Sequence, residues 1–484
     1  MADGRINVKY CVILPIILAV TVFFWCAPAS FFGSLGEVLT VTQQRTIAIF
    51  AFAALMWIFE IVPSWVTSLI VIAVSLLTIS SKSISFCMDT GDDSVFVPMK
   101  TLMASFADPI VILFLGGFVL AIVASKYGLD VTMARILLKP FGKNPRTVLL
   151  GILMVIAIFS MFMSNTATAA MFLALLAPVF AFLPETDRKG KTGIALAIPV
   201  AANIGGIGTP IGTPPNATAK GILENNDMLI TFGEWAARMI PFVVIMILFA
   251  WVLLMVLYPF NSKEIKLEIR KAAHKRTWKD YVVWITFGVT ILLWMTEQLH
   301  SISSNIVALI PLAVYSATGV FTKEDIKKID WSVLWLVAGG FALGYALEGT
   351  GLAEAMVTSI DFGAMNIIAV FVIAGLICYF LSNFISNSAT AALLIPIMVA
   401  MGKGLLASDN AGAFLVWGGQ QGLAVFVAVC ASLAMILPIS TPPNAIAAST
   451  GLVETKDMVK VGIIVGLAGL VLGFFWVTKF FPLP

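Results

Sequence analysis

The chain is built from apolar runs of about 16 to 22 residues, the length that crosses a hydrocarbon core of about 30 Å as a helix. The composition agrees, because 60% of the 484 residues are hydrophobic and 11% are charged. The mean hydropathy of +1.01 is far above that of soluble proteins. The sequence therefore predicts an all-α polytopic membrane protein whose outer surface contacts lipid.

Several classes of function are excluded by what the sequence lacks. The five cysteines form no CxxC pair, so we predict neither a metal centre nor a disulfide framework. His274 and His300 lie outside the apolar runs and provide no base for a nucleophilic serine within them. A net charge of +3, confined to particular loops, indicates no nucleic-acid partner. We expect neither an enzyme nor an organic cofactor.

Loop charges predict which side of the membrane each loop occupies, because cytoplasmic loops carry an excess of Lys and Arg. Basic segments occur at 126–146, 188–191 and 263–279, and acidic segments at 87–93, 224–234 and 348–361. This pattern predicts a cytoplasmic N-terminus and an external C-terminus in the plasma membrane, which in a bacterium is the inner membrane. The run 11–27 is interpreted as the first span rather than a signal peptide. Segment 128–141 is predicted to lie along the cytoplasmic interface.

Two polar phrases occur twice inside the apolar runs, in the same order. Ser164-Asn165-Thr166 returns as Ser386-Asn387-Ser388, and Thr213-Pro214-Pro215-Asn216 returns as Thr441-Pro442-Pro443-Asn444. Gly116-Gly117 likewise matches Gly339-Gly340, and the separations from Gly116 to Ser164 and from Gly339 to Ser386 are 48 and 47 residues. Each half is expected to contain five spans and one hairpin, which is an odd number of crossings, so the two halves have opposite orientations in the membrane. The phrases therefore predict an inverted repeat.

The repeat predicts how the chain is divided. The expected parts are an N-terminal span at 1–45, a first repeat at 46–262, a cytoplasmic linker at 263–280 and a second repeat at 281–484. Both ends of 147–184 are basic, so this segment is predicted to be a re-entrant hairpin, and 367–403 the hairpin opposed to it. Consecutive prolines interrupt helices, which predicts broken helices at 193–230 and 411–450. About eleven spans are expected: 11–27, 46–62, 65–80, 106–125, 193–230, 238–258, 281–297, 304–318, 331–350, 411–450 and 459–480.

The phrases contain groups that bind both cations and anions. Ser, Thr and Asn side chains provide oxygens for a hard cation and N–H or O–H groups for an anion. Each broken helix adds free carbonyls and a new helix N-terminus, whose dipole favours an anion. Because no Lys or Arg accompanies the phrases, bound cations would have to balance an anion there. The pattern favours cation-coupled anion symport over the alternative that these residues only pack and kink helices.

Glu60 and Glu297 lie at the closing ends of the apolar runs 46–62 and 281–297, in the matching phrases Trp57-Ile58-Phe59-Glu60 and Trp294-Met295-Thr296-Glu297. Each is either a carboxylate at a helix end near the interface or a proton-carrying or gating residue within the membrane. The Gly-Gly pairs are predicted to allow close packing of helices.

From Trp57 to the final helix, the chain resembles the divalent anion/sodium symporter family, whose members carry C4-dicarboxylates, citrate or sulfate. The resemblance implies one Na⁺ between each hairpin tip and a broken helix, with the anion between the two tips. The implied Na⁺ ligands are Ser160, Ser164, Asn165 and Gly212 in the first half and Ser382, Ile385, Asn387 and Ser440 in the second. The implied substrate-binding residues are Asn165, Thr166, Thr213, Asn387, Ser388, Thr441 and Pro442.

The resemblance also implies a homodimer and an elevator mechanism. The function expected from it is Na⁺-coupled symport of C4-dicarboxylates such as succinate, malate or fumarate into the cell, with two or more Na⁺. Dicarboxylate exchange of the 2-oxoglutarate/malate type, Na⁺/sulfate symport and an anion channel are the alternatives. Ser388 stands where the family often has Thr, which leaves the anion open, and Ser440 stands where the first half has Gly212, so the two cation sites need not be equal.

Overall fold

The computed structural model describes residues 9–265, 277–359 and 361–481, in which the chain forms helices and one isolated bridge between Ser80 and Val97. Most of the predicted linker, 263–280, lies outside these ranges. The α-helices of seven residues or more are α1 (Leu14–Cys26), α2 (Val41–Phe59), α3 (Ser64–Thr78), α4 (Pro109–Lys126), α5 (Leu129–Leu138), α6 (Pro145–Ser160), α7 (Asn165–Phe182), α8 (Arg188–Gly206), α9 (Pro214–Glu224), α10 (Phe232–Leu257), α11 (Trp278–Met295), α12 (Leu309–Ala317), α13 (Trp331–Gly349), α14 (Leu352–Ser359), α15 (Ile367–Phe384), α16 (Asn387–Ala407), α17 (Gly419–Ser432), α18 (Pro442–Ala448) and α19 (Thr455–Phe480).

The outer helices expose apolar side chains along their length. Nine helices in the described ranges are long and apolar enough to cross a membrane. On α10, for example, the exposed side chains are Val244, Ile245, Leu248, Phe249, Val252 and Val256. Such a continuous apolar stripe is favourable against lipid and unfavourable against water. The prediction of an all-α polytopic membrane protein is confirmed.

Helix ends lie close to the predicted interruptions. The pair α6–α7 occupies the segment 147–184 and α15–α16 the segment 367–403, and in each pair the two helices contact one another. Helices α8 and α9 are separated by residues 207–213, and α17 and α18 by residues 433–441. Segment 411–450 has a second interruption, since Gly418 takes a φ of 98° before α17 begins. The assignment of these parts to inverted repeats stays a prediction.

Several predicted helix starts are late, and at two of them local capping was overlooked. Helix α2 begins at Val41 rather than 46, where Thr40 and Gln43 form a capping box. Helix α10 begins at Phe232 rather than 238, where Thr231 and Glu234 form another.

The two Gly-Gly helices pack across the halves of the chain. Helix α4 contacts α12, and α13 contacts α3. A Cβ atom added at Gly116 would lie 2.4 Å from Ala308 O, and one at Gly339 would lie 2.4 Å from Ser68 Cβ. The glycines therefore allow close packing, as the sequence predicted.

Each hairpin contacts both broken helices. Within the first half α8 packs on α6, and within the second half α17 packs on α15 and α16. The second parts of the broken helices cross over, so that α9 packs on α16 and α18 packs on α7. This exchange brings all four interruptions to one place in the molecule.

Candidate functional site

The four interruptions surround a single cavity in which water centres can occupy about 300 Å³. Its lining includes all seven residues predicted to bind substrate: Asn165, Thr166, Thr213, Asn387, Ser388, Thr441 and Pro442. Of the predicted Na⁺ ligands outside that set, Ser164, Gly212 and Ser440 also line it. Ser160, Ser382 and Ile385 lie buried and are not part of the lining. The cavity thus gathers residues separated by more than 200 positions.

Four helix N-termini meet at the cavity. The N-cap residues of α7, α9, α16 and α18 all line it, and these are Ser164, Thr213, Ser386 and Thr441. The hydroxyls of Ser164 and Ser386 each accept a hydrogen bond of 3.2 Å from the amide three residues ahead. In α7 and α16 the earlier amides of the first turn have no acceptor within the helix, whereas α9 and α18 begin with Pro-Pro and add the helix dipole but no free N–H there. A carboxylate in the cavity would meet these N–H groups and the positive ends of the helix dipoles.

The asparagine of each Pro-Pro-Asn phrase holds its helix interruption together. Asn216 Nδ2 donates to Gly206 O at 3.0 Å, Ile207 O at 3.2 Å and Thr209 O at 2.8 Å. Asn444 Nδ2 donates to Met435 O at 2.8 Å and Leu437 O at 2.9 Å. These buried amides satisfy carbonyls that the broken helices leave free. The sequence analysis named the phrases but missed this role, which the exact repetition of the asparagine signals.

In the first half, an oxygen cluster forms at the hairpin tip. Asn165 Oδ1 lies 2.6 Å from Ser160 Oγ, 3.1 Å from Gly212 O and 3.2 Å from Ala202 O. The one hydroxyl hydrogen of Ser160 can serve either Asn165 or Ala202 O, which is 2.7 Å away. With its nitrogen turned inward, the amide of Asn165 donates to Ser160 Oγ, Gly212 O and Ala202 O and satisfies the cluster without an ion. With its oxygen inward, the four oxygens repel one another and require a cation among them. The donor set fits Na⁺, which prefers carbonyl and hydroxyl oxygens.

The second half offers oxygens of a different arrangement. Ser382 Oγ and Asn387 Oδ1 are buried and lack a hydrogen-bond partner among the described residues. Ser440 Oγ donates to Asn383 O at 2.9 Å and accepts from Leu437 N at 3.0 Å. Asn383 also accepts from Ile436 N at 2.9 Å, so it ties α15 to the broken helix. Since Gly212 has no hydroxyl, the two halves differ at this position, as the sequence predicted.

Other residues of the cavity were missed by sequence reasoning. Asn203 lies in the last turn of α8 and outside either phrase, and Asp330 precedes α13. Among the described lining residues, Asp330 alone is ionisable. The wall away from the tips is largely apolar and includes Trp65, Phe114, Phe118, Val333 and Leu336. No positive side chain of the lining therefore offsets the charge of an anion.

The paired glutamates have different surroundings. Glu297 is buried and accepts hydrogen bonds from Phe232 N at 3.0 Å and Ser304 N at 3.1 Å. Glu60 is exposed and ends α2 in a left-handed conformation. Neither lines the cavity. The hydrogen bonds of Glu297 to backbone amides and the exposed position of Glu60 at the end of α2 favour the helix-end interpretation over a gating residue.

A second cavity adjoins the first through Phe118, Ser164 and Asp330. It is also lined by Lys126 and Lys328, which flank Asp325 at 2.5 Å and 3.0 Å. Burial acts to raise the pKa of Asp325, but hydrogen bonds from Lys126, Lys328 and Thr322 outweigh it and hold the pKa well below its usual range. Asp325 is therefore charged at neutral pH.

An apolar bundle with interrupted helices around an internal polar cavity is the architecture of a membrane transporter. Residues 54–418 match the citrate transporter family, CitMHS. An uncharacterized transporter of Haemophilus influenzae is 31% identical over 449 residues, which cover 88% of this chain and 89% of that protein. The chain belongs to the citrate transporter family.

Two further comparisons bear on the relationship. The sodium-dependent dicarboxylate transporter SdcS of Staphylococcus saprophyticus is 28% identical over 461 residues, covering 87% of this chain and 84% of that protein. This relative confirms the resemblance to divalent anion/sodium symporters. Neisseria gonorrhoeae MtrF, whose structure is described as illuminating a class of antimetabolite efflux pumps, aligns with a TM-score of 0.53 and 14% identity over 93% of this chain and 97% of that one. That likeness shows the fold alone. Family and relatives are transporters, so the chain is not an enzyme.

Proposed function

We propose that the protein couples Na⁺ entry to the uptake of C4-dicarboxylates such as succinate, malate or fumarate. The observation that carries the proposal is the cavity itself, where four helix N-termini meet without a positive side chain. Helix dipoles and hydroxyls suit carboxylate oxygens, but they do not neutralise a dianion. Bound Na⁺ would supply the missing charge. The name of the Staphylococcus relative supports this coupling and this substrate class.

Two Na⁺ positions are proposed, one in each half. The first is the oxygen cluster of Ser160, Asn165 and Gly212, with Ser164 at the same tip. The second uses Ser382, Ile385, Asn387 and Ser440, where two buried side-chain oxygens have no partner in the described ranges. Each position adjoins the cavity, so cations bound there would act on the anion at short range. Their binding would then raise the affinity for substrate, and substrate would raise theirs.

We propose that the hairpins and broken helices move together past the remaining helices. In support, polar tips form one wall of the cavity and apolar side chains of α3, α4 and α13 form much of the other. An elevator motion would separate these two walls and carry the substrate with the tips. We also propose that the protein is a homodimer in the plasma membrane with a cytoplasmic N-terminus. These points rest on the resemblance and the loop charges.

Uptake of radiolabelled succinate into proteoliposomes tests the coupling. With an inward Na⁺ gradient we expect saturable uptake, and with K⁺ in place of Na⁺ we expect little. Equal uptake in both would contradict Na⁺ coupling. A requirement for internal dicarboxylate would instead indicate exchange, and competition by sulfate would indicate the sulfate alternative. Conductance without saturation or counterflow would indicate a channel.

Substituting the tip asparagines tests the site. Asn165→Ala and Asn387→Ala should each abolish transport and leave the protein folded, because the amides serve both ligands. Asn226→Ala is the matched control, since its amide donates to Ile222 O outside the cavity. Size-exclusion profiles and uptake should be measured for all three variants. Transport retained by both tip variants would refute the assignment of the tips.

A further inference from the structure

Asn203 is a buried polar residue of the cavity wall that lies outside the repeated phrases. It is 1% exposed, and it connects the first half of the chain to the second. Its Nδ2 atom lies 3.2 Å from Thr441 Oγ1 and 3.4 Å from Asn444 Oδ1. The repeat relates Gly212 to Ser440, and the same separation relates Asn203 to Ala431, which is apolar. This polar group therefore has no counterpart in the other half.

The hydrogen bonds around Asn203 determine how its amide is oriented. Asn444 donates through Nδ2 to two backbone carbonyls, so its Oδ1 faces Thr441. The Thr441 hydroxyl donates to that Oδ1 at 3.1 Å and accepts from Asn444 N. Thr441 Oγ1 and Asn444 Oδ1, the two atoms that face Asn203, can therefore only accept a hydrogen bond from it. Asn203 must present Nδ2 to them, because its oxygen there would meet only acceptors.

The orientation leaves Asn203 Oδ1 as an unused acceptor. It is buried and has no hydrogen-bond partner in the part of the chain that the structure describes. The helix N-termini and hydroxyls around the cavity can donate to carboxylates, whereas an amide oxygen cannot. A carboxylate oxygen near Oδ1 would be repelled, and a hydroxyl group would be bound.

We infer that Asn203 determines specificity for hydroxylated carboxylates, by accepting a hydrogen bond from a substrate hydroxyl through Oδ1. The inference rests on the proposed function, which supplies the carboxylate. Asn203 lines the cavity, and its amide has no counterpart in the other half, which matches a substrate with a hydroxyl on one carbon, such as malate. Succinate lacks this donor and leaves Oδ1 buried without a partner.

Pairs of acids that differ only in the hydroxyl test the inference. Malate and succinate form one pair, and citrate and tricarballylate form a second pair for a longer substrate. In proteoliposomes containing the wild-type protein, we expect the hydroxy acid of the transported pair to have a kcat/KM about 5-fold or more above its partner, the value of one neutral hydrogen bond. In Asn203→Ala, the ratio should fall to about 2-fold or less.

Asn305→Ala is the matched control. Asn305 is also a buried asparagine whose Oδ1 lacks a partner in the described ranges, but it does not line the cavity. The ratio of kcat/KM for the hydroxy acid to kcat/KM for its partner should be the same in Asn305→Ala as in the wild type.

Three results would overturn the inference. The first is a wild-type ratio near one, which is decisive even if the Asn203 variant does not fold. The second is an unchanged ratio in Asn203→Ala. The third is an altered Na⁺ dependence with an unchanged ratio, which would make Oδ1 a cation ligand. Absence of any carboxylate uptake would refute the proposed function itself, whereas uptake without hydroxyl preference would refute only the role of Asn203.

Discussion

Single residues bring the backbone carbonyls of the first proposed cation position together. A Cβ atom at Gly212 would lie 2.4 Å from Gly206 O and 2.9 Å from Ser160 O. One at Gly206 would lie 2.6 Å from Asn165 Oδ1. Backbone groups can therefore converge here only where a side chain is absent. The amides of Asn216 and Asn444 then hold the freed carbonyls in place.

Gly212→Ala should weaken Na⁺ activation of transport by about 10-fold or more, because the new methyl group displaces the carbonyl ligands. The measurement is uptake as a function of Na⁺ concentration. Gly288→Ala provides the control, since a Cβ atom at Gly288 would meet nothing within 4 Å. An unchanged Na⁺ dependence in Gly212→Ala would argue against the first cation position.

Asn216→Ala should lower the free energy of unfolding by about 1–3 kcal/mol, because three buried carbonyls lose their donor. Thermal denaturation in detergent would detect this loss. The control, Asn226→Ala, removes a donor to a single carbonyl and should have a smaller effect. Equal stability of both variants would contradict the role assigned to Asn216.

At the scale of elements, helices α4 and α13 connect the two halves. Their glycines pack on Ala308 and Ser68, and a partly buried polar contact joins their ends. Tyr345 of α13 donates to Asp108, the N-cap of α4, at 2.7 Å. Asn225, which follows α9, donates to the same carboxylate at 3.2 Å. Three elements on both sides of the linker thus meet at one side chain.

Gly339→Ala should destabilise the protein by about 1–3 kcal/mol, because the added methyl group would overlap Ser68. Gly344→Ala lies in the same helix and meets nothing within 4 Å, so it should be neutral or stabilising by up to about 1 kcal/mol. The apparent melting temperature of Gly339→Ala should lie below the wild-type value, and that of Gly344→Ala should lie at or above it. Two equal melting temperatures would show that the α3–α13 contact is not tight.

At the scale of the whole molecule, one ion-pair network joins the halves beside the second cavity. Lys126 belongs to α4 and Asp325 precedes α13, and the carboxylate contacts both Lys126 and Lys328. Asp325 is 2% exposed, so the pair is shielded from water on one side. Lys126 also donates to Val320 O at 2.9 Å. The network therefore stabilises the assembled bundle rather than a single helix.

Acid should weaken this network. Because the folded pKa of Asp325 is depressed, its contribution to stability is fully present above the ordinary carboxyl pKa of about 3.9 and is lost as pH falls through the lower folded value. Asp325→Asn should be less stable than the wild type at pH 7, and the difference should shrink toward pH 3. Melting temperatures across this range test the expectation. The control, Glu324→Gln, removes an exposed ion pair with Lys327 and should change the melting temperature little. A stability difference between Asp325→Asn and the wild type that does not depend on pH would contradict the role assigned to Asp325.

Much of this protein can be derived from the sequence, because the features concerned are local. Apolar length predicts spans, consecutive prolines end helices, and a serine or threonine before a helix caps it. These rules place the four interruptions within a few residues, and the duplication predicts that they belong together. The polar phrases in turn predict the residues that line the cavity.

Only the tertiary structure decided which other residues the cavity contains. Asn203 and Thr441 are 238 positions apart, and their contact depends on how α8 packs against α18. Asp330 also has no repeated signal in the sequence, and it is the one ionisable side chain in the described lining. The repeat is approximate, so side chains that break its symmetry follow from packing. Their hydrogen bonds depend on distances between helices, which no local pattern encodes.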